Sequence, residues 1–356
     1  MLYIVFYICL AALLSSCASV VPPSGGEKDL VPPKILNMSP ENKSTNLRTN
    51  EIAIHFDEYI QVENGSEIHF FPEIKPRPKI KVKGKSIIVE LPSNLKLNTT
   101  HIINFNNSIV DLNESNPLKN FTYVFSTGGV IDTCELSGHV FDLKSNLKTN
   151  GAVIGLFQNK LIEKFDSLIR GSAPDYFIFS DEEGGYTFSN LKSGNYILYG
   201  FKDLNLSNKY EDPEPISMPL EIKIKPNQTI NIPLFVENQF LKHDTLNCFY
   251  MKENKDSLGL GSINLNFKKE IYTNGKYIGE LMLQDVSVFC FHINSSVTKI
   301  DSLLVGDYSF RMFEDVNKNN LWDSGNIKSL MKPEKLKFFS EVISVKKDWE
   351  IDVFIE

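Results

Sequence analysis

The residues best placed by type and spacing to do chemistry form the run Asp315-Val316-Asn317-Lys318-Asn319-Asn320-Leu321-Trp322-Asp323-Ser324-Gly325-Asn326. Oxygen-bearing side chains at Asp315, Asn317, Asn319 and Asp323 could converge on a hard cation such as Ca²⁺, which takes roughly six to eight oxygen ligands. The position that is Glu in an EF-hand is Asn326 here, and the two carboxylates in the loop would hold the ion weakly. The same spacing suits an Asx-rich loop whose side chains bond their own backbone. A counterpart, Asp203-Leu204-Asn205-Leu206-Ser207-Asn208-Lys209-Tyr210-Glu211-Asp212, is the poorer cation loop.

A second pattern is Lys75, Arg77, Lys79, Lys81, Lys83 and Lys85 at a spacing of two. In an extended segment that places all six charges on one face, opposite Pro76, Pro78, Ile80 and Val82. Such a strip could bind phosphorylated lipid or acidic polysaccharide. It could equally be an edge strand whose lysines discourage pairing with other chains.

Catalytic chemistry finds little support. His55, His69, His101, His139, His243 and His292 are scattered without metal-ligand spacing. No G-x-S-x-G elbow, phosphate-cradling glycine loop or Cys/His pairing stands out. A net charge of −7 argues against sequence-independent nucleic-acid binding. The reading is of a non-enzyme.

The elements that must position these residues begin with an anchor. Leu2 to Leu14 is an apolar run too short to span a bilayer, but suited to the hydrophobic region of a signal peptide. It ends in Leu14-Ser15-Ser16-Cys17, which resembles the lipobox of bacterial lipoprotein precursors, although no Lys or Arg precedes the run. The resemblance implies cleavage after residue 16, lipidation of Cys17 and attachment by several acyl chains, palmitate among them. Residues 17–32, rich in Pro and Gly, read as a tether. Of the remaining cysteines, Cys134, Cys248 and Cys290, at most two can pair within the chain; Cys248 with Cys290 is the pairing expected if one forms, and otherwise all three are small buried hydrophobes.

At 356 residues the chain has room for two or three domains. From Lys34 onward its apolar residues alternate, as in Ile52, Ile54 and Phe56, or Ile87, Val89 and Leu91, with Pro, Gly, Asn and Asp between the runs. That period predicts antiparallel sandwiches. No stretch after the signal predicts an amphipathic helix.

Three units are legible. In 33–128, together with Asp29 and Pro32-Pro33 just before it, the segments Phe56-Asp57-Glu58, Asn98-Thr99-Thr100, Asp111-Leu112-Asn113-Glu114-Ser115-Asn116 and Phe125-Ser126-Thr127-Gly128 occur in an order that resembles the bacterial Ig-like domain of surface-layer proteins. This domain opens many lipoproteins of the Bacteroidota and has no catalytic residues to carry over. In 132–237, the run from Asp181 to Tyr196 resembles prealbumin-like and carboxypeptidase-regulatory-like sandwiches, with Tyr186 and Phe188 pointing into the core. The third unit, 240–356, repeats the end of the second. Leu191 to Asp203 aligns without gaps on Leu303 to Asp315, and Pro213-Glu214-Pro215-Ile216 resembles Pro333-Glu334-Lys335-Leu336. The Bacteroidota resemblance also implies O-glycosylation at Asp-Ser/Thr-apolar tripeptides, here Ser167, Thr245, Ser257 and Ser302; turn residues at strand starts would give the same pattern.

The whole reads as an all-β chain of three tandem antiparallel sandwiches behind a signal peptide and tether, lipid-anchored at an outer membrane and facing either the periplasm or the cell surface. Its expected role is that of a structural or assembly component of the cell envelope with a protein partner. The alternative is an accessory glycan-binding lipoprotein of a nutrient-uptake system.

Overall fold

The computed structural model describes residues 28–207, 209–225, 228–236, 259–273, 276–284 and 286–355. Cys17, Thr245, Cys248 and Ser257 lie outside them. Strand dominates the regular structure of the described residues, as the alternating pattern requires.

The first sandwich contains β1 (Ile35–Ser39), β2 (Glu51–Phe56), β3 (Ile60–Val62), β4 (His69–Phe71), β5 (Lys79–Lys83), β6 (Ser86–Glu90), β7 (Thr100–Asn106), β8 (Ile109–Asp111) and β9 (Phe121–Ser126). Sheet β1-β2-β6-β5 faces sheet β4-β7-β9, and β3 pairs β8 at one end. Ile52, Ile54 and Phe56 meet Ile103, Phe105, Tyr123 and Phe125 in the core between them. The Tyr123 hydroxyl donates to the Pro40 carbonyl at 2.8 Å, tying the first loop to the second sheet.

The second sandwich contains β10 (Cys134–Asp142), β11 (Val153–Gln158), β12 (Tyr176–Phe179), β13 (Gly185–Leu191), β14 (Gly194–Phe201), β15 (Pro215–Ile216), β16 (Leu220–Ile224), β17 (Gln228–Thr229) and β18 (Ile232–Val236). The third contains β19 (Leu260–Phe267), β20 (Tyr277–Leu283), β21 (Val286–His292), β22 (Val297–Leu304), β23 (Gly306–Glu314), β24 (Leu336–Phe338), β25 (Ile343–Val345) and β26 (Glu350–Ile355). The two share one pairing scheme. β10 pairs β13 antiparallel and β17 and β18 in parallel; β19 pairs β22 antiparallel and β26 in parallel. β11 lies between β12 and β14, and β20 between β21 and β23. The Tyr196 hydroxyl donates to the Lys192 carbonyl at 2.9 Å, and Tyr308 repeats this with Leu304 at 2.9 Å.

One expectation is corrected. Phe165–Gly171 is an α-helix that buries Phe165 and Ile169. Two turns are too short for a helical period to stand out of a strand-rich sequence.

The sandwiches are not independent beads. Phe71, Ile102 and Val124 leave the first sandwich on its outer face and join the core of the second. His69 meets Phe177 edge-on, with ring centroids 4.5 Å apart. Burial, with the Arg77 guanidinium nearby, pushes the His69 imidazole down to about 4. A further buried cluster joins Val153, Phe201, Tyr210 and Ile216 of the second sandwich to Ile278, Phe313 and Trp322 of the third, with Leu336 packed against it. Under the internal alignment Phe201 corresponds to Phe313, and their ladder partners Val153 and Ile278 correspond as well. Tyr210 and Trp322 occupy matching places in the two acidic loops. Each sandwich therefore offers the same patch to the other, the arrangement of an isologous interface within one chain.

Candidate functional site

The Asp315 loop connects β23 to β24, and its geometry depends on a residue well outside the motif. Glu334 is buried, and its two carboxylate oxygens accept the backbone N–H groups of Val316 at 2.7 Å and Asp323 at 3.1 Å. Asp315, also buried, accepts the N–H groups of Asn319 at 3.1 Å and Asn320 at 2.9 Å. The Asn317 and Asn319 side-chain carbonyls accept from Asn319 and Leu321 at 3.0 and 2.7 Å. The Asn317 amide donates to Asp323 at 2.5 Å. All four residues expected to form the cation loop thus come together, and each oxygen named is also held by the loop itself. Burial, then the charges of Asp323 and Asp315, raises the Glu334 carboxyl above the usual carboxylate range.

The second sandwich repeats the clamp between β14 and β15. Glu214 is buried and accepts from Leu204 at 2.8 Å and Glu211 at 3.0 Å. Ser207 donates its N–H to Asp203 at 3.1 Å and to Asn205 at 3.0 Å. The Asp203 loop, the poorer of the two by composition, therefore has the same frame. In both loops the buried glutamate stands just before the short strand it feeds, Glu214 next to β15 and Glu334 two residues before β24.

The clamps also seat the aromatics of the inter-sandwich seam. Trp322 Nε1 donates to the Glu334 carbonyl at 2.9 Å, and the Tyr210 hydroxyl donates to Asp212 at 2.8 Å. Sequence reasoning met Glu214 and Glu334 only as part of a repeat. The available signal was a Glu preceded by Pro at matching places in both halves. Among the described residues, no group of three or more His, Cys, Asp or Glu side chains has metal-holding geometry.

The basic strip is not continuous. Among the described residues β5 is an edge strand, paired only with β6, and within it Lys79, Lys81 and Lys83 alternate with Ile80 and Val82. Lys81 pairs with Glu90 across the ladder, and Lys75 pairs with Glu73 at 2.9 Å. Arg77, though exposed, folds back onto its own sandwich, donating to the Gly65 and Ile68 carbonyls at 2.8 Å each and lying over the Phe70 ring. Lys85 donates to the Asp57 carbonyl at 2.6 Å. The single face expected for all six is corrected to the three lysines of β5, because the segment before Lys79 lies outside the strand.

Of the glycosylation candidates, Ser167 is exposed on the helix Phe165–Gly171, and Ser302 is exposed at a bulge of β22 with a φ of 62°. Cys134 is free and buried, whereas Cys290 is disulfide-bonded. His101 is buried, its ring stacked on Phe125. Burial holds its imidazole below the ordinary histidine range.

Residues 29–127 match the bacterial Ig-like domain family. No curated protein matches the sequence. Among solved structures, the minor pilin of Streptococcus agalactiae aligns at 13% identity over 62% of this chain and 94% of its own, with a TM-score of 0.23. A DUF3823 family protein from Bacteroides uniformis aligns at 7% identity over 60% of this chain and 100% of its own, with a TM-score of 0.22. Its counterpart from Bacteroides ovatus aligns at 13% identity over 60% of this chain and 100% of its own, with a TM-score of 0.21. At these scores the likenesses carry no functional conclusion.

Proposed function

We propose that this chain is a non-catalytic spacer of the cell envelope, anchored at an outer membrane through lipid on Cys17, which holds sandwich surfaces at a fixed distance for a protein partner. The observation that carries the reading is the continuity of buried apolar packing from the first sandwich into the second and from the second into the third. Chains joined only by flexible linkers need no such seams, whereas a spacer that must keep its reach and orientation does. The Ig-like match over the first sandwich supports a structural role.

The anchor is tested by feeding cells an alkyne-tagged fatty acid. The wild-type chain takes up label and sediments with membranes, and Cys17→Ala does neither. The partner is tested by in-cell crosslinking and purification of the lipidated protein; recovery of the chain alone contradicts the reading. Calcium belongs to the proposal as a ligand of the Asp315 loop, with Asp315, Asn317, Asn319 and Asp323 turning oxygens inward. Calorimetric titration with calcium chloride showing no heat removes it.

A further inference from the structure

The second and third sandwiches differ in how they join two neighbouring strands. In the third, β20 and β21 are separated by residues 284–285 alone, whereas in the second residues 159–175 stand between β11 and β12. Connections between adjacent antiparallel strands usually take only about two to five residues, and long ones are commonly functional. This one carries the helix Phe165–Gly171, whose Phe165 and Ile169 pack on the sheet face that also bears Val153, Tyr199 and Phe201.

Beside the end of that helix the packing leaves a cavity of about 360 Å³, within the range of roughly 300–1,000 Å³ usual for small-molecule sites. Val153, Ile169, Phe201 and Tyr210, all buried, wall it, and Arg170, Ala173 and Lys209 stand exposed at its mouth. The Arg170 charge is already met by Asp166 at 2.9 Å and Asp212 at 3.2 Å. Among the described residues no carboxylate lines the cavity. The Tyr199 hydroxyl, on a residue only 2% exposed, makes no hydrogen bond to a described residue. Its ring crosses Gly155, and its oxygen is not among the sealed, unpartnered polar atoms of the described residues, so it opens on the cavity that Tyr199 lines. Burial raises the phenol above its ordinary range, which keeps it protonated and able to donate. A buried donor without an acceptor carries a cost that a ligand oxygen relieves.

We propose that this cavity is a binding site for a small, uncharged, largely apolar molecule that carries one hydrogen-bond-accepting oxygen, such as a carbonyl. Its apolar body lies against Val153, Ile169 and Phe201, and its oxygen accepts from the Tyr199 hydroxyl. A charged ligand would exchange its hydration for apolar walls, because Arg170 is already paired and Lys209 stands in solvent. In the third sandwich Arg311 and Glu280 take the places of Tyr199 and Gly155. The site therefore belongs to the second sandwich and is independent of the spacer reading.

The test is a ligand-observed NMR titration of the full chain with three probes of similar size: acetophenone, ethylbenzene, which lacks the oxygen, and benzoate, which is charged. Acetophenone is expected to bind about threefold or more tighter than ethylbenzene, as one hydrogen bond allows, and benzoate to bind weakest. Tyr199→Phe should keep ethylbenzene binding and remove the advantage of acetophenone. Ala173→Trp, at an exposed position of the mouth, should abolish binding of both neutral probes while the melting temperature stays unchanged. Equal affinity of the two neutral probes for the wild-type chain, an acetophenone advantage that survives Tyr199→Phe, or benzoate binding as tightly as acetophenone overturns the proposal. So does unchanged binding in Ala173→Trp, or failure of both neutral probes to bind.

Discussion

The second and third sandwiches solve the same packing position in opposite ways. Tyr199 pairs with Gly155 across the β11–β14 ladder, and the ring lies so close that a Cβ on Gly155 would stand 2.4 Å from it. At the matching position of the third sandwich, Arg311 pairs with Glu280 in a buried ion pair, and the guanidinium also donates to the Lys144 carbonyl of the second sandwich at 2.7 Å. One site is filled by an aromatic ring over a bare backbone, the other by two charges and a borrowed carbonyl. The backbone frame, pinned by Glu214 and Glu334, is common to both. The difference shows that the repeat preserves strand order and loop clamp, while the face turned toward the neighbouring sandwich is free to change chemistry.

The largest expected effect breaks the charged solution. Arg311→Met leaves the Glu280 carboxylate buried and unpaired, at a cost of about 3–5 kcal/mol in urea denaturation. Adding Glu280→Leu should return most of that loss, since a well-packed apolar pair replaces a buried ion pair at little cost. A double variant as unstable as the single one would mean that the borrowed carbonyl, not the pair, sets the stability.

Removing the seam aromatics should cost nearly as much. Trp322→Ala and Tyr210→Ala are each expected to lose about 3 kcal/mol or more, as large-to-small core changes do. Their effects should be non-additive if the two rings stabilise one seam. Next in size is Gly155→Ala, where overpacking against Tyr199 should cost about 1–3 kcal/mol. A neutral Gly155→Ala would show that the ring moves aside freely.

The smallest effect is in pH dependence. Because the Glu334 carboxyl is raised in the folded chain, between its ordinary value and the raised one the folded state holds a proton that the unfolded state has released. Stability therefore falls as pH rises through that window. His69 acts in the other direction. Its imidazole is lowered to about 4, so stability is lost as pH falls from its ordinary 6.5 toward 4. Glu334→Gln should remove the first slope and His69→Phe the second, each read from melting temperatures across pH.

Much of this architecture was legible in the sequence. The alternation of Ile52, Ile54 and Phe56 marks a strand with one buried face, and Leu191 to Asp203 laid on Leu303 to Asp315 gives the repeat its register. The seams were present as well, but as doublets. Phe70-Phe71, Ile102-Ile103 and Tyr123-Val124 are buried on both faces of their strands, which a reading tuned to one face passes over. The Arg311–Glu280 pair was not legible, because its members are 31 residues apart and only strand register brings them together. The cation loop was visible by composition, yet the residue that organises it is Glu334, on the far side of the loop. Within β5 the lysines alternate with Ile80 and Val82 as their spacing implies; Arg77, two residues before the strand, instead folds back onto the Ile68 carbonyl.

The claim that the sandwiches form one rigid spacer is tested most directly by double electron–electron resonance between spin labels at Lys83 in the first sandwich and Lys299 in the third, both on exposed strand positions. A single narrow distance distribution, broadened in Trp322→Ala, is the predicted result. A broad distribution in the wild-type chain, unchanged by Trp322→Ala, would contradict it.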